Sequence, residues 1–119
     1  MKKRVTRIAE CEKQEFGWGS ITWQHSKALS GSEELTLGEV VIKSGQSNPM
    51  HTHANCEEAL YLLEGELDHS CGSEQPYHMK PGDSICIQRG IPHNAMCTSE
   101  QDAKMLVAYS SANREMKGE

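Results

Sequence analysis

Turn-forming residues recur roughly every eight to twelve positions along most of this chain, and this spacing limits the fold more than any other feature. The clusters at 30–34, 44–49, 72–76 and 81–83 combine Gly or Pro with polar residues. The runs between such clusters are short, rich in β-branched and aliphatic residues, and without a sustained helical period. They predict strands at 20–25, 35–43, 50–53, 58–64, 66–71, 77–79, 84–88, 93–98 and 104–109. The pattern indicates an all-β sandwich or barrel of about eight or nine short antiparallel strands.

The length of 119 residues supports one domain with one modest core. We expect an N-terminal arm or edge segment over 1–18, a barrel over 19–110 and a polar C-terminal tail over 111–119. The start of the first segment is compatible with a short helix, an arm or disorder, and the sequence does not choose among them. The tail has few apolar residues, so we expect it to fray.

The charge balance, 12 basic against 17 acidic residues, gives a net charge of −5 with the histidines neutral. This excess of acidic groups argues against nucleic acid or an anionic membrane surface as a partner. No apolar run approaches the length of a transmembrane helix, and the basic start at 1–4 is not followed by the apolar stretch of a secretory signal. We therefore expect a cytoplasmic protein.

The cysteines are odd in number, and no two of them have C-x-x-C spacing. A disulfide framework would want an even count, and a structural zinc cluster would want closely paired thiols. We expect five free thiols in a reducing compartment, at Cys11, Cys56, Cys71, Cys86 and Cys97.

A histidine pair stands out on the predicted strand at 50–53. The period of a strand places the imidazoles of His51 and His53 on one face and Thr52 on the other. Two carboxylates, Glu57 and Glu58, follow within five residues, and His93 begins a later predicted strand. Each of these features alone is weak, because paired histidines and carboxylates are also ordinary polar surface residues.

Taken together, these residues have the spacing of the two conserved motifs of the cupin family, which the chain resembles over 45–97. The first motif is matched at every defined position by Gly45-x5-His51-x-His53-x4-Glu58-x6-Gly65. The second motif is matched at both glycines and at the histidine by Gly82-x5-Gln88-x-Gly90-x2-His93-x3-Cys97. The chain departs from the family at Gln88, where proline is usual, and at Cys97, where asparagine is usual. These departures concern the turn geometry and the lining of the pocket.

The resemblance implies a small jelly-roll β-barrel with a metal bound inside it near one mouth. It also implies the ligand set, which is His51, His53, Glu58 and His93. Three neutral imidazoles and one carboxylate suit one divalent first-row transition metal, whether Fe, Mn, Ni, Co, Cu or Zn. An octahedral ion would keep positions open for water, substrate or oxygen, so the same four residues would act in catalysis through the metal.

The choice between the two adjacent carboxylates depends on the chain between them and the histidine pair. If the strand continued unbroken from His53, Glu57 would share its face. A turn or bulge at 54–56, where Asn55 is a turn former, would shift the register by one residue and favour Glu58. The family spacing, counted back from Gly65, selects Glu58. Leu60 and Leu62 would then face inward with Glu58, whereas 59, 61 and 63 would face outward.

Isomerase or lyase chemistry also needs a base near the metal, and the sequence offers His69, His25 and Glu57. Of these, His69 and Glu57 are additional catalytic candidates. Both histidines lie on predicted strands, and an ordinary hydrogen-bonded or surface position is the favoured explanation for each. Other conspicuous residues are expected to be structural: His78, Cys97 and Trp23.

The family that the chain resembles includes dioxygenases, decarboxylases, lyases, isomerases and non-enzymatic binding proteins, so the fold does not decide the function. We expect a metal-dependent dioxygenase, isomerase or lyase that acts on a small oxygenated molecule, such as a keto or hydroxy acid, a diketone or a sugar or uronate derivative. The alternative is a non-catalytic cupin that binds or senses a small ligand. The resemblance also implies a homodimer, in which the outward-facing Tyr61 and Leu63 are possible contributors.

Overall fold

A computed structural model describes residues 2–118 and shows a fold of short antiparallel strands. The strands are β1 (Lys13–Phe16), β2 (Gly19–His25), β3 (Thr36–Ile42), β4 (His51–Thr52), β5 (Glu58–Glu64), β6 (Leu67–Cys71), β7 (Tyr77–Met79), β8 (Ser84–Ile87), β9 (His93–Cys97), β10 (Ala103–Tyr109) and β11 (Lys117–Gly118). A single helical turn, α1 (Lys27–Ser30), follows β2, and a 3-10 turn occupies Ile8–Glu10. Within 2–118, neither helix is long and apolar enough to cross a bilayer.

The strands form two antiparallel sheets that face each other. The larger sheet has the order β1-β2-β3-β10-β5-β8, and the smaller has the order β11-β4-β9-β6-β7. From β3 onward the chain passes repeatedly from one sheet to the other, so that strands far apart in sequence become neighbours. This arrangement is that of a jelly roll and confirms the predicted fold class.

The core lies between the sheets because alternate residues of the strands point inward. Strands β3 and β10 bury every second residue along their whole length. Ile42, Leu62 and Met105 are each at most 1% exposed. Burying one such side chain contributes roughly 1.5–3 kcal/mol, so the inner faces of these central strands supply much of the stability.

The predicted strands are all present, with ends that differ by at most one or two residues. In β5, Leu60 and Leu62 are buried and Tyr61 and Leu63 are exposed, as expected. The sequence did not predict β1 and β11, the first and last strands of the described chain. All four residues of β1 are exposed, so β1 has no apolar alternation and depends on its backbone pairing with β2.

The C-terminal segment was expected to fray, and the structure differs. Its last residues form β11, which pairs with β4 at Lys117↔Thr52 and Gly118↔His51. Side-chain and backbone hydrogen bonds from the 53–57 region also hold the segment, and these contacts are not visible in its polar composition. The segment 111–118 therefore covers one end of the fold beside the histidine pair.

Two glycines are required by close backbone or side-chain packing. Gly65 joins β5 to β6 with φ +76°, and a Cβ there would lie 2.7 Å from the carbonyl oxygen of Asp102. A Cβ at Gly38 would lie 2.5 Å from Cε3 of Trp23. The absence of a side chain at Gly38 therefore leaves room for the indole of Trp23.

Candidate metal centre

Four side chains, three of them from residues 51–58 and the fourth from residue 93, converge between the two sheets. His51 lies on β4, His53 directly follows it, Glu58 begins β5 and His93 begins β9. Their potential ligand atoms all lie within 4.8 Å of one another. The sheet pairing contributes directly, because His51 is the cross-strand partner of His93. The structure thus brings together the four residues that the sequence motifs singled out.

A bend after His53 determines which carboxylate joins this cluster. Asn55 holds the bend, since its Oδ1 accepts a hydrogen bond from the backbone N–H of Glu115 at 2.8 Å and its Nδ2 donates to the carbonyl of Asn113 at 2.8 Å. The resulting register buries Glu58, which is 4% exposed. Glu57 is exposed and does not line the cavity around the cluster, so the structure does not bring this catalytic candidate to the site.

Backbone carbonyls fix the orientation of all three clustered histidines. Nδ1 of His51 lies 2.8 Å from the carbonyl oxygen of Pro49, and Nδ1 of His93 lies 2.9 Å from that of Ile91. Nδ1 of His53 lies 3.0 Å from the carbonyl oxygen of Glu115. A carbonyl oxygen can only accept, so each Nδ1 carries a proton and each neutral ring presents the lone pair of Nε2 to the cluster.

The contacts of Glu58 show that this donor set fits a cation. Its Oε1 lies 3.1 Å from Nε2 of His53 and 3.0 Å from Nε2 of His93. Because a carboxylate also only accepts, these contacts require either imidazolium rings or a cation shared by the nitrogen and oxygen lone pairs. A divalent transition metal satisfies all of these atoms with the histidines neutral, and three nitrogens with one oxygen are donors that such metals favour.

The surroundings of the cluster shift the pKa values of Glu58, His51 and His93. Burial alone raises the pKa of Glu58, but hydrogen bonds and charge from His53 and His93 outweigh burial and hold that pKa well below its usual range. Burial lowers the pKa of His51 to about 4, so this ring is neutral at pH 7. Burial also lowers the pKa of His93, but the contact with Glu58 outweighs it and leaves that pKa raised.

The cluster lies in the wall of a cavity of about 330 Å³ between the sheets. The rest of the lining is mainly apolar, with contributions from Val40, Ile42, Leu60, Met105 and Val107. The exposed side chains of Phe16 and Met116 mark its open end. Trp23, which the sequence led us to expect in the core, is partly buried, packs against the core and also lines the cavity. The volume is at the lower end of the range for small-molecule sites.

His69 is the one further histidine that the structure brings to this cavity among residues 2–118. It is 1% exposed, and its ring lies nearly parallel to that of His93 with centroids 5.9 Å apart. Its Nδ1 is buried without a hydrogen-bond partner in the described part of the chain. Burial lowers the pKa of His69 to about 4, so the ring is neutral at pH 7.

The remaining sequence candidates lie away from the cavity lining. Nδ1 of His25 lies 2.8 Å from Oγ of Ser30. His78 is exposed and contacts two carboxylates, which raise its pKa. The two departures from the second motif do not line the cavity either, since Gln88 is on an exposed turn and Cys97 is buried elsewhere with 1% exposure.

Two cavity residues were missed by the sequence analysis. Tyr109, the last residue of β10, is 6% exposed, and its ring centroid lies 4.8 Å from that of His53. The inward alternation of β10 was the signal that could have identified it. Arg114 also lines the cavity. It lies in the irregular segment between β10 and β11, where strand periodicity gives no indication of direction.

Comparison with known proteins finds relatives that match the part of the chain containing the four clustered residues. Residues 38–109 match the family model described as the cupin domain. Germin-like protein 1 of Brassica napus is 32% identical over 69 residues, which cover 55% of this chain and 33% of that protein. The chain therefore spans about a third of the length of this curated relative.

Solved structures share the fold over nearly the whole chain. Oxalate decarboxylase of Bacillus subtilis, a protein with Mn(II) centres, has a TM-score of 0.86 at 16% identity over 94% of this chain and 31% of that chain. The polyketide cyclase RemF of Streptomyces resistomycificus has a TM-score of 0.79 at 22% identity over 99% of this chain and 85% of that chain. At these identities the likeness concerns the fold, whereas the domain match over β3 to β10 establishes the family. The chain belongs to the cupin family.

Proposed function

We propose that this cupin is a metal-dependent enzyme that acts on a small oxygenated molecule chelated at a centre formed by His51, His53, Glu58 and His93. The observation that carries the proposal is the orientation of the three histidines. Their Nδ1 protons are committed to backbone carbonyls, so their Nε2 lone pairs converge on the ionised Glu58. This arrangement has little purpose in the core of a protein that binds no cation.

The metal that we propose is one divalent first-row ion, namely Fe, Mn, Ni, Co, Cu or Zn. The Mn(II) centres of the structurally similar oxalate decarboxylase make manganese a natural first choice for reconstitution. When bound, such an ion polarises an oxygen of the substrate as a Lewis acid and orients the substrate for reaction. The chain itself contributes the fixed ligands and a mainly apolar cavity that limits the access of water.

His69 is the residue that we propose for proton transfer. It shares the cavity with the cluster, and its buried Nδ1 has no hydrogen-bond partner within residues 2–118. A buried polar atom without a partner costs about 1–3 kcal/mol, so a ligand that bonds to this ring would recover that cost. A base at this position supports isomerase or lyase chemistry, whereas dioxygenase chemistry does not require one.

The substrate is expected to be more apolar than a simple diacid. A cavity of about 330 Å³ holds the volume of roughly ten water molecules, and most of its wall is hydrocarbon. We therefore propose a keto or hydroxy acid, a diketone or a related oxygenated molecule with an apolar body, converted by a dioxygenase, isomerase or lyase reaction. Sugar and uronate derivatives fit the metal but fit this apolar wall less well.

The test is a screen of the protein reconstituted with each metal, with and without oxygen, against diketones, keto acids, hydroxy acids and unsaturated uronates. Turnover that is lost in Glu58→Gln and kept in the matched variant Glu57→Gln supports the proposal. A ligand that binds at micromolar concentration and is recovered chemically unchanged with every metal would contradict it. That outcome would instead indicate the binding or sensing function.

We also propose that the protein is a homodimer. Tyr61 and Leu63, on the outer face of β5, are 47% and 38% exposed and lie side by side with the outer face of β10. Pairing of this face between two copies would remove the apolar surface from water. Light scattering should give twice the 13.2 kDa chain mass, and a Leu63→Glu variant should give the monomer. A wild-type protein that stays at the chain mass at micromolar concentration would refute the dimer.

A cytoplasmic location is the final part of the proposal, and the state of the thiols supports it. All five cysteines are free in the structure, and Cys56, Cys71 and Cys97 are buried. A thiol reagent should count five groups in the denatured, non-reduced protein, whereas the folded protein should react first at the exposed Cys86. A denatured count of three or one would reveal disulfides and exclude a reducing compartment.

A further inference from the structure

Arg114 occupies a distinctive position in the cavity wall. Its Cζ lies 4.3 Å from the centroid of the Trp23 ring and 5.2 Å from that of Tyr109. Tyr109 in turn contacts the ring of His53. The guanidinium thus rests on an aromatic platform that continues to the candidate metal centre. A stacked guanidinium keeps the N–H groups along its edge free to donate.

Arg114 has no ion-pair partner among residues 2–118. Within residues 2–118, its side chain makes no hydrogen bond and has no carboxylate at ion-pair distance, although the chain has more acidic than basic residues. In the same part of the chain it is the single lysine or arginine that lines the cavity. A half-buried cation without a partner in a mainly apolar cavity is a favourable site for an anion.

The backbone on both sides of Arg114 is held by the bend that shapes the metal centre. The carbonyl of Asn113 and the N–H of Glu115 both bond to the side chain of Asn55, and the carbonyl of Glu115 accepts the Nδ1 proton of His53. These three hydrogen bonds fix the residues before and after Arg114. A side chain presented from a fixed backbone loses less entropy on binding, so the site is preorganised.

We propose that Arg114 binds a carboxylate of the substrate, and that the natural ligand carries oxygens that chelate the metal at one end and a carboxylate at the other. This inference rests on the proposed function, because the metal centre supplies the second point of attachment. The planar fork of a guanidinium matches the two oxygens of a carboxylate, which favours a carboxylate over a neutral polar group. The apolar residues between the two sites would contact the body of the molecule.

The test compares two probes that differ only at the end expected to meet Arg114. 3,4-Dihydroxybenzoate has two adjacent chelating oxygens and an opposite carboxylate, and 4-methylcatechol has a methyl group in place of the carboxylate. Their affinities for the zinc-loaded protein are measured by calorimetry in the wild type and in Arg114→Gln, Arg114→Lys and Lys117→Gln. Lys117 is an exposed cation on the same segment that does not line the cavity, so Lys117→Gln is the matched control for loss of charge.

The expected result is a preference for 3,4-dihydroxybenzoate that falls about tenfold or more in Arg114→Gln, with the affinity for 4-methylcatechol unchanged. Arg114→Lys should keep part of the preference, because an ammonium retains the charge without the fork, and Lys117→Gln should keep all of it. The same ratio of affinities in wild type and Arg114→Gln overturns the inference. An equal loss of both probes, which would show that Arg114 only supports the fold, overturns it as well.

The same samples report separately on the metal centre. Zinc content and the dependence of 4-methylcatechol binding on zinc test the proposed function without involving Arg114. If zinc is absent from the protein, the proposed centre fails. If zinc is bound and 4-methylcatechol requires it, but the carboxylate gives no advantage that depends on Arg114, only the present inference fails. If neither probe binds the zinc-loaded wild type at millimolar concentration, the two-point site is refuted.

Discussion

His51 on β4 lies directly opposite His93 on β9, and the centroids of their imidazole rings are 4.2 Å apart. His51 and His93 are the residues at which β4 pairs with β9. The pairing of the two strands therefore also determines how close these two ligands lie. Strands hold side chains more rigidly than loops do, which means that the donor atoms converge before any ligand is bound.

Removal of this pair should strongly weaken metal binding. The variant His51→Ala, His93→Ala lacks two of the four ligands, and we expect its affinity for Mn(II) or Zn(II) to fall by about a hundredfold or more. Calorimetry with the metal and elemental analysis of the purified variant measure the loss. The matched control is His78→Ala, which removes an exposed histidine far from the cluster and should leave affinity unchanged. Tight binding of one equivalent by the double variant would place the metal elsewhere.

The register at the start of β5 makes a second prediction. Glu58→Gln removes the one negative charge within the cluster and should lower metal affinity by about tenfold to a hundredfold. Glu57→Gln changes an exposed side chain next to it and should have little effect. Competition with a metal indicator dye gives both affinities. A larger loss of metal affinity in Glu57→Gln than in Glu58→Gln would show that Glu57, not Glu58, faces the cluster.

Acidification should release the metal, and His93 should limit binding first. The ligand nitrogens must be deprotonated, and contact with Glu58 raises the pKa of His93, so protons compete for this ring at higher pH than for His51, whose pKa burial lowers to about 4. Metal affinity should therefore begin to fall at a pH above 6.5, the ordinary pKa of histidine. Titration of metal affinity from pH 8 to pH 5 measures the change. An affinity independent of pH over this range would exclude histidine ligands.

Most of the fold was accessible from sequence because its strands have strong local signals. The strands that form the core carry inward aliphatic residues at every second position, and turn clusters separate them. Strands β1 and β11 lack both signals. β1 and β11 are held by backbone hydrogen bonds to β2 and β4. Whether β2 and β4 have an unpaired edge depends on the whole sheet, so it cannot be read from the sequences of β1 and β11 themselves.

Only those site residues that belong to a recognisable sequence motif could be predicted from the sequence. The resemblance to the cupin motifs implied the set of His51, His53, Glu58 and His93. From the residues alone, the preference for Glu58 over Glu57 required a bend that Asn55 signals only weakly. Arg114 had no signal at all. Its place in the cavity results from hydrogen bonds between Asn55 and a segment about sixty residues later, which are long-range contacts that local patterns do not encode.

The buried His69 leads to a last prediction, which concerns the stability of the metal-free protein. Its folded-state pKa is about 4, and its ordinary value is 6.5, because burial disfavours the charged ring. Between these pH values the unfolded chain binds a proton that the folded chain does not, so acidification favours unfolding. The contribution of His69 is fully present above about pH 6.5, falls as pH drops towards 4, and amounts to about 2 kcal/mol lost at pH 5.

His69→Phe keeps a ring of similar shape and removes this titration. In urea denaturation with a chelator present, the stability of the variant relative to wild type should therefore rise by about 2 kcal/mol between pH 8 and pH 5.

His78→Phe is the control of opposite sign. Hydrogen bonds and charge from Asp68 and Glu66 raise the pKa of His78, so its ion pairs stabilise the fold below about pH 6.5 and this contribution is lost as pH rises through the folded-state pKa. His78→Phe should consequently lose stability relative to wild type at pH 5. Parallel pH profiles for His69→Phe and wild type would show that His69 is protonated equally easily in the folded and unfolded chains, and its neutral state at the metal cavity would then be excluded.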